Sequence, residues 1–142
     1  MKEYVVGFMF DDSGERIVLI RKNRPEWQAG KLNGVGGKVE LGETPMAAMI
    51  REFHEETGVE TTDSDWTNYA LMWGDDFEIA FYKGHNTKIL EATDTKTDEQ
   101  IERRSVERVI YFDKGVEGIN NLKWLVPLAL DKNKIFADFH YQ

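Results

Sequence analysis

Three glutamates at a fixed spacing are the residues of this sequence that could do chemistry together. Glu52, Glu55 and Glu56 lie at positions i, i+3 and i+4, which places their side chains on one narrow arc of a helix. Like charges at these spacings repel each other, so a helix carries them at a cost unless a cation lies between them. Hard divalent cations, above all Mg²⁺, prefer such oxygen ligands. The spacing favours a metal site, and the alternative is a solvated acidic face on an ordinary helix.

The segment that carries these glutamates has the ends of a helix. Thr44 is a suitable N-cap, and Pro45 suits the first helical position, where its missing N–H loses no hydrogen bond. Gly58 suits the left-handed residue that ends a helix. A predicted core-facing stripe lies roughly 120° away from the acidic arc. Its members are Met46, Ile50, Phe53 and Thr57.

The wider pattern resembles the Nudix box of the Nudix hydrolase family. The match starts at Gly37, continues with Glu43 after five intervening residues, and ends with the run from Arg51 to Val59 after seven more intervening residues. The resemblance implies an enzyme that hydrolyses a nucleoside diphosphate linked to another group with the help of divalent metal ions. It also implies an α/β fold, namely an α/β/α sandwich with a mixed β-sheet, formed by a single Nudix domain over residues 1–142.

The resemblance assigns roles to the residues of the box. The implied metal ligands are Glu52, Glu55, Glu56 and backbone carbonyls near Gly36 and Gly37. Glu43 and Arg51 are expected to pair with each other and to orient the loop against the helix, as structural support rather than as reagents. The expected cofactor is Mg²⁺, with Mn²⁺ as a substitute.

The proton acceptor of the reaction is expected to be a carboxylate. The chain is acidic, with 26 Asp and Glu against 18 Lys and Arg, so metal ions are needed to bring a polyphosphate into the site and to lower the pKa of the attacking water. A carboxylate outside the innermost metal shell can then take the proton. In the family this base is a box glutamate or one from a later loop. Glu99 is preferred over Glu102 because it follows a Thr-Asp turn signal, and the alternative is that both are surface acids.

Residues 27–38 resemble the corresponding stretch of the MutT-like members of the family, which act on purine nucleoside triphosphates such as 8-oxo-dGTP. In this interpretation Asn33 hydrogen-bonds a base edge and Trp27 stacks on the base. The alternatives are an asparagine that only forms a turn and a tryptophan of the core. The cations expected to meet phosphate are Lys38 together with Arg21, Lys22 or Arg24.

Residues 124–130 resemble the C-terminal segment of the same MutT-like enzymes. Those enzymes place side chains that read the oxidised purine just before this segment, which makes Asn121 the candidate here. The paired aspartates and nearby tryptophan of some members are absent, so selectivity for an oxidised base stays open. Asn120 or Asn121 could equally be the N-cap of the last helix.

The first prediction for function is hydrolysis of a nucleoside triphosphate to nucleoside monophosphate and pyrophosphate. Hydrolysis of ADP-ribose, a nucleotide sugar or a dinucleoside polyphosphate is the second, and a Nudix module that only binds nucleotide is the third. The partner is therefore a small nucleotide, with the protein as a monomer or a homodimer.

Composition limits the remaining choices. A chain of 142 residues has room for one domain with a core, and the absence of cysteine excludes disulfides and thiolate chemistry. There is no apolar run of membrane-spanning length and no signal peptide, which predicts a cytoplasmic protein. The formal net charge of −8 argues against duplex nucleic acid as a partner.

Hydrophobic patterning predicts mixed strands and two helices. Strands are expected over 4–10, 17–21, 69–73, 77–82 and 105–112, with a further edge strand in the last residues. Loops are expected over 22–37 and 83–98. The second helix is expected over 121–130, with Pro127 near its start.

Overall fold

The computed structural model describes residues 1–111, 118–133 and 135–142. The strands are β1 (Lys2–Phe10), β2 (Arg16–Arg21), β3 (Leu32–Asn33), β4 (Val35–Lys38), β5 (Thr67–Trp73), β6 (Phe77–His85), β7 (Gln100–Ser105) and β8 (Ala137–His140). The α-helices are α1 (Pro45–Thr57), α2 (Thr87–Ala92), α3 (Val106–Ile110) and α4 (Leu122–Leu130). In the described residues there are thus four α-helices where the sequence predicted two.

The strands form one mixed sheet in the order β3-β2-β1-β6-β5-β8. β1 runs parallel to β6 along its whole length, and its other edge is shared by two antiparallel partners. β2 pairs with Met9 and Phe10, whereas β4 pairs with the earlier residues 4–7. This division brings β4 against α1, and the sheet thereby holds the glycines of β4 next to the acidic helix.

Side chains of the central strands alternate between two cores, one on each face of the sheet. Along β1, Phe8 and Phe10 pack with α3 and α4, whereas Val5 and Met9 pack with α1 and α2. β2 shows the same alternation, with successive residues from 17 to 20 going to opposite faces. Because successive side chains of a strand point to opposite faces, this pattern requires helices on both sides. The predicted α/β/α sandwich with a mixed sheet is confirmed.

Helix α1 begins and ends where the sequence predicts. Thr44 Oγ1 accepts a hydrogen bond from the Ala47 amide at 3.1 Å, and Gly58 has a left-handed φ of 79°. The buried face differs from the predicted stripe: Ala48, Met49, Phe53 and Thr57 are buried, whereas Met46 and Ile50 are partly exposed. The buried face is therefore turned toward the acidic arc, because the helix lies close against β4.

Two predicted loops contain regular structure. The range 22–37 includes β3 and most of β4. Gly36 allows β4 to lie close to β1, since a Cβ at this position would overlap the Val5 carbonyl oxygen. The range 83–98 includes the end of β6 and the whole of α2. Asn86 Oδ1 caps α2 by accepting from the Ile89 amide at 3.0 Å, and Leu90 is fully buried beneath it. A single buried leucine in a polar stretch gives no hydrophobic periodicity from which a helix could be predicted.

The strand predicted over 105–112 is wrong. The strand lies earlier, at β7, which pairs with β2 from Arg16 to Arg21 although its own side chains are mostly polar. Val106 and Val109 then pack into the core from α3, at helical i, i+3 spacing. Pairing with a neighbouring strand thus outweighs the β-propensity of the apolar run. The last part of this prediction, Phe112, lies outside the described residues.

The C-terminal predictions are mostly correct. Helix α4 and the edge strand β8 form, but Pro127 lies inside α4 rather than near its start. In the part of the chain that the structure describes, no helix is long and apolar enough to cross a membrane.

Candidate metal and active site

Glu52 lies against the backbone of β4. A Cβ added to Gly37 would overlap the Glu52 carboxylate, so this carboxylate occupies the space that a side chain would fill at that position. Burial raises the pKa of Glu52, and the hydrogen bond from Arg51 opposes the shift. The sequence allows the Glu52 carboxylate to lie against β4 because Gly37 has no Cβ and so leaves room for it beside the strand.

Arg51 lies at the centre of an acidic network. Its Nε and Nη2 donate to both oxygens of Glu43 at 2.7 and 2.9 Å, and its Nη1 donates to Glu52 at 2.9 Å and to Glu55 at 3.3 Å. Nη2 also donates to the Lys38 carbonyl at 3.0 Å, which ties α1 to the end of β4. The Arg51 hydrogen bonds lower the pKa of Glu43 to about 2. Arg51 and Glu43 thus contact each other as the resemblance implies.

Glu56 meets the loop that precedes β7. The hydroxyl of Thr97 donates to Glu56 Oε2 at 2.8 Å. Burial raises the pKa of Glu56, while the Thr97 hydrogen bond lowers it. Glu55, in contrast, is exposed. The acidic arc is therefore not a uniformly solvated face, since two of its three carboxylates are partly buried.

The two candidate bases outside the box lie in different surroundings. Glu99 is buried, and it accepts from Lys22 Nζ at 3.1 Å and from the Asn23 amide at 2.5 Å. Its charge also contributes to the raised pKa of Glu56, so the two carboxylates are neighbours. Glu102 instead pairs with Arg21 and Arg104, which keep its pKa low. Of the two, Glu99 belongs to the acidic cluster.

The donor set suits a hard divalent cation. Carboxylate and carbonyl oxygens are available from α1, β4 and the loop before β7, and such ligands are those that Mg²⁺ prefers. Within the described residues, however, no three acidic or histidine side chains converge closely enough to hold an ion. Arg51 pairs with Glu52 and Glu55, and Lys22 pairs with Glu99, so binding an ion requires these ion-paired side chains to turn.

Asn33 has an amide of fixed orientation. Its Oδ1 accepts from the Gly34 amide at 2.7 Å, and its Nδ2 donates to Gln28 Oε1 at 3.0 Å. An amide has two lone pairs and two N–H groups, so these contacts leave one acceptor site and one donor for a ligand.

The aromatic and cationic candidates fall into two groups. Trp27 is 66% exposed on a single 3₁₀ turn, so it is not a core residue. Arg24 and Lys38 are also exposed. Arg21 and Lys22 are instead engaged in ion pairs with the two acids described above, at 2.6 and 3.1 Å.

Asn121 lies beside the strand that carries Asn33. The Ile119 amide donates to the Leu32 carbonyl at 3.1 Å, which holds the start of α4 alongside β3. The Asn121 side chain makes no capping hydrogen bond, and its Oδ1 is buried without a partner among the described residues. A buried acceptor without a donor is costly, so Asn121 Oδ1 is a polar atom whose hydrogen bond the described residues do not supply.

The sequence analysis did not single out Thr97, which contacts Glu56, or Gln28, which contacts Asn33. Thr97 belongs to the turn signal before Glu99, and that signal indicates a loop without indicating which carboxylate the hydroxyl reaches.

The two glycines of β4 should respond differently to alanine. Gly37→Ala is expected to displace the flexible Glu52 carboxylate, so the affinity for a divalent metal should fall at least about 10-fold with little loss of stability. Gly36→Ala is expected to damage folding, because its Cβ would overlap the Val5 backbone. Thermal melts and divalent-metal titrations of both variants check this. Equal melting temperatures for the two would contradict it.

The comparisons with known proteins agree with this geometry. The family model described as NUDIX domain matches residues 1–135. The 8-oxo-dGTP diphosphatase of Escherichia coli (strain K12) is 39% identical over 57 residues, which are 40% of this chain and 43% of that protein. The RNA pyrophosphohydrolase of Francisella tularensis subsp. mediasiatica (strain FSC147) is 38% identical over 84 residues, covering 44% of this chain and 51% of that protein. The chain therefore spans about half the length of the curated relatives it matches.

Solved structures extend the similarity over the whole fold. A crystal structure of MutT from Bacillus halodurans superposes with a TM-score of 0.71 at 17% identity, covering 100% of this chain and 91% of that one. A structure from a study of MutT from Aliivibrio salmonicida and Vibrio cholerae gives a TM-score of 0.69 at 21% identity, covering 91% and 97%. The described fold is thus the one found in these MutT proteins, and the chain belongs to the NUDIX domain family.

Proposed function

We propose that this chain hydrolyses a purine nucleoside triphosphate to the nucleoside monophosphate and pyrophosphate, using Mg²⁺ with Mn²⁺ as a substitute. The observation that carries the proposal is the acidic arc of α1 lying against Gly37, with Glu99 beside it, in a member of the NUDIX domain family. Glu52, Glu55, Glu56 and the carbonyls of Gly36 and Gly37 are the proposed metal ligands. A bound divalent ion would neutralise phosphate charge and lower the pKa of the attacking water.

The proposed proton acceptor is Glu99. Its two oxygens are held by Lys22 Nζ and by the Asn23 amide, so the carboxylate is fixed next to Glu56. A carboxylate in this position can accept the proton of an attacking water. The Lys22 ammonium group lies beside Glu99 and can turn toward a phosphate group of the substrate. Arg24 and Lys38 are exposed, and they are the other cations proposed to contact phosphate. Arg51 and Glu43 support the loop and take no part in proton transfer.

Recognition of the base is assigned to Asn33, Trp27 and Asn121. The remaining donor and acceptor of the Asn33 amide match a base edge that offers one of each. The exposed Trp27 ring can stack on the base, a contact worth about 1–3 kcal/mol in nucleic-acid binders. Asn121 Oδ1 is an acceptor, so it favours a base that presents an N–H donor toward it.

The decisive experiment is a substrate panel with the purified protein and Mg²⁺. It covers ordinary and 8-oxo nucleoside triphosphates, ADP-ribose, a nucleotide sugar and a diadenosine polyphosphate, with products separated by chromatography. Monophosphate and pyrophosphate from purine triphosphates are the expected result, and the ratio of kcat/KM for the 8-oxo and ordinary forms measures selectivity. Turnover confined to ADP-ribose, the sugar or the dinucleotide would overturn the proposal. Binding without turnover of any compound would identify a nucleotide-binding module.

A second candidate is removal of pyrophosphate from the 5′ end of RNA. The similarity to a protein named RNA pyrophosphohydrolase favours it, since that alignment is longer than the one to the diphosphatase. The same panel therefore includes a short single-stranded RNA with a 5′-triphosphate. A kcat/KM for this RNA above that for every free nucleotide would replace the first candidate by the second.

Asn33→Ala is expected to raise KM for purine triphosphates by about 5- to 10-fold, the loss of roughly one hydrogen bond, with a smaller change for pyrimidine triphosphates. Initial rates on both classes check this. Asn33→Asp is the matched control, because it keeps an acceptor for the Gly34 amide and loses the donor. If KM rises equally for purines and pyrimidines, Asn33 does not read the base.

A further inference from the structure

Thr97 connects the acidic helix to the candidate base through one hydroxyl group. Its Oγ1 lies 2.8 Å from Glu56 Oε2 and accepts the Glu99 amide N–H at 3.3 Å. The hydroxyl has a single proton, and the carboxylate is both nearer and more negative than the Glu99 carbonyl at 3.3 Å. The proton therefore goes to Glu56, and Thr97 links the carboxylate of Glu56 to the backbone of Glu99.

The loop that carries Thr97 is anchored on the end of α1. The Asp94 amide donates to the Thr57 carbonyl at 3.0 Å, and the Lys96 amide donates to the Glu56 carbonyl at 3.3 Å. These donors satisfy carbonyls that the end of a helix leaves free. On its other side the loop is held by Arg103, whose Nη1 donates to the Thr93 carbonyl at 2.7 Å. The Thr97 hydroxyl is thus placed by the backbone and not by its own rotation alone.

The partner of Glu56 differs in kind from the partners of the other carboxylates. Arg51 neutralises Glu52 and Glu55, and Lys22 neutralises Glu99. In the described part of the chain, the ion pairs leave out Glu56, whose carboxylate receives an uncharged hydroxyl instead. An uncharged donor orients a carboxylate without pairing it with a cation, and Glu56 Oε1 stays outside this hydrogen bond.

We propose that Thr97 is a positioning residue, which holds the Glu56 carboxylate in the orientation that binds a divalent cation and keeps it in register with Glu99. The inference rests on the metal ligands named under the proposed function and does not depend on which nucleotide is the substrate. Partners of metal ligands commonly change metal affinity or activity by about 10- to 100-fold when removed. Thr97 contributes in this way without contacting the ion.

The test is the affinity of the substrate-free protein for Mn²⁺, measured by electron paramagnetic resonance and by calorimetry. Thr97→Val keeps the shape and removes the hydroxyl, and it is expected to weaken Mn²⁺ binding about 10-fold. Thr97→Ser keeps the hydroxyl and should restore the wild-type affinity to within about 2-fold. Thr95→Val is the matched control, because the Thr95 hydroxyl lies in the same loop but, among the described residues, accepts from the Ile101 amide at 3.0 Å rather than contacting a carboxylate. With a nucleotide that the wild type turns over, kcat of Thr97→Val at saturating metal should also fall.

Wild-type affinity in Thr97→Val would overturn the inference while leaving the metal ligands in place. Equal losses in Thr97→Val and Thr97→Ser, or in Thr95→Val, would also overturn it, because the loss would then come from the loop and not from the hydroxyl. A wild-type protein that binds no Mn²⁺ would overturn the metal assignment as well. Thermal melts of all four proteins accompany the titrations, so that a folding defect is seen directly.

Discussion

Glu56→Gln is expected to abolish turnover, a loss in kcat of about 10³-fold or more. Glutamine keeps the size of the side chain and can still accept from the Thr97 hydroxyl, but it lacks the charge that a divalent cation requires. Positioned acid–base and charged groups each commonly contribute roughly 10²- to 10⁴-fold in rate. Steady-state kinetics on the best substrate of the panel measures the effect. Glu60→Gln is the control, since Glu60 follows the same helix with a side chain that is 86% exposed.

The fold of this variant should remain intact, and its pH dependence gives a second measurement. Burial raises the pKa of Glu56 above its ordinary 4.5, so the ionised carboxylate destabilises the metal-free fold. The wild-type protein therefore loses stability as pH rises through this raised pKa, whereas Glu56→Gln lacks this contribution. The variant should melt at or above the wild-type temperature at neutral pH, with the difference vanishing below pH 4.5. Wild-type turnover by Glu56→Gln would remove Glu56 from the metal site.

Phe53→Ala is expected to cost about 3–5 kcal/mol of unfolding free energy. Phe53 is fully buried in the core beneath α1, where its ring meets the edge of Trp66 at a centroid distance of 5.1 Å. Losing it leaves a cavity under the helix that carries Glu52 and Glu56, so the metal affinity should fall together with the stability. Because the total free energy of unfolding of a native protein is about 5–15 kcal/mol, the loss expected for Phe53→Ala is a large fraction of it.

Urea unfolding of the metal-free protein measures the loss. Phe53→Leu is the matched control, because it keeps most of the buried apolar volume and should cost less than half as much. A cost below about 1 kcal/mol for Phe53→Ala would show that α1 does not depend on this contact.

Local patterns predicted the helix that carries the site and the four strands β1, β2, β5 and β6. The ends of α1 follow from Thr44, Pro45 and Gly58, whose effects on backbone hydrogen bonds and φ reach only a few residues. The failures are of another kind. β7 is a strand because it pairs with β2, although the two are far apart in sequence, and α2 forms over one buried leucine. Pairing and burial of this sort depend on residues that a local pattern does not contain.

The sequence by itself determined which carboxylates share a face, because the period of a helix is a local property. It also determined the family, through the spacing from Gly37 to Val59. Tertiary structure alone decided which groups hold those carboxylates. Thr97 reaches Glu56 across 41 residues and Lys22 reaches Glu99 across 77, so no spacing rule predicts either contact. The loop before β7 meets both α1 and the end of β2 because the sheet and the helix have already brought these elements together.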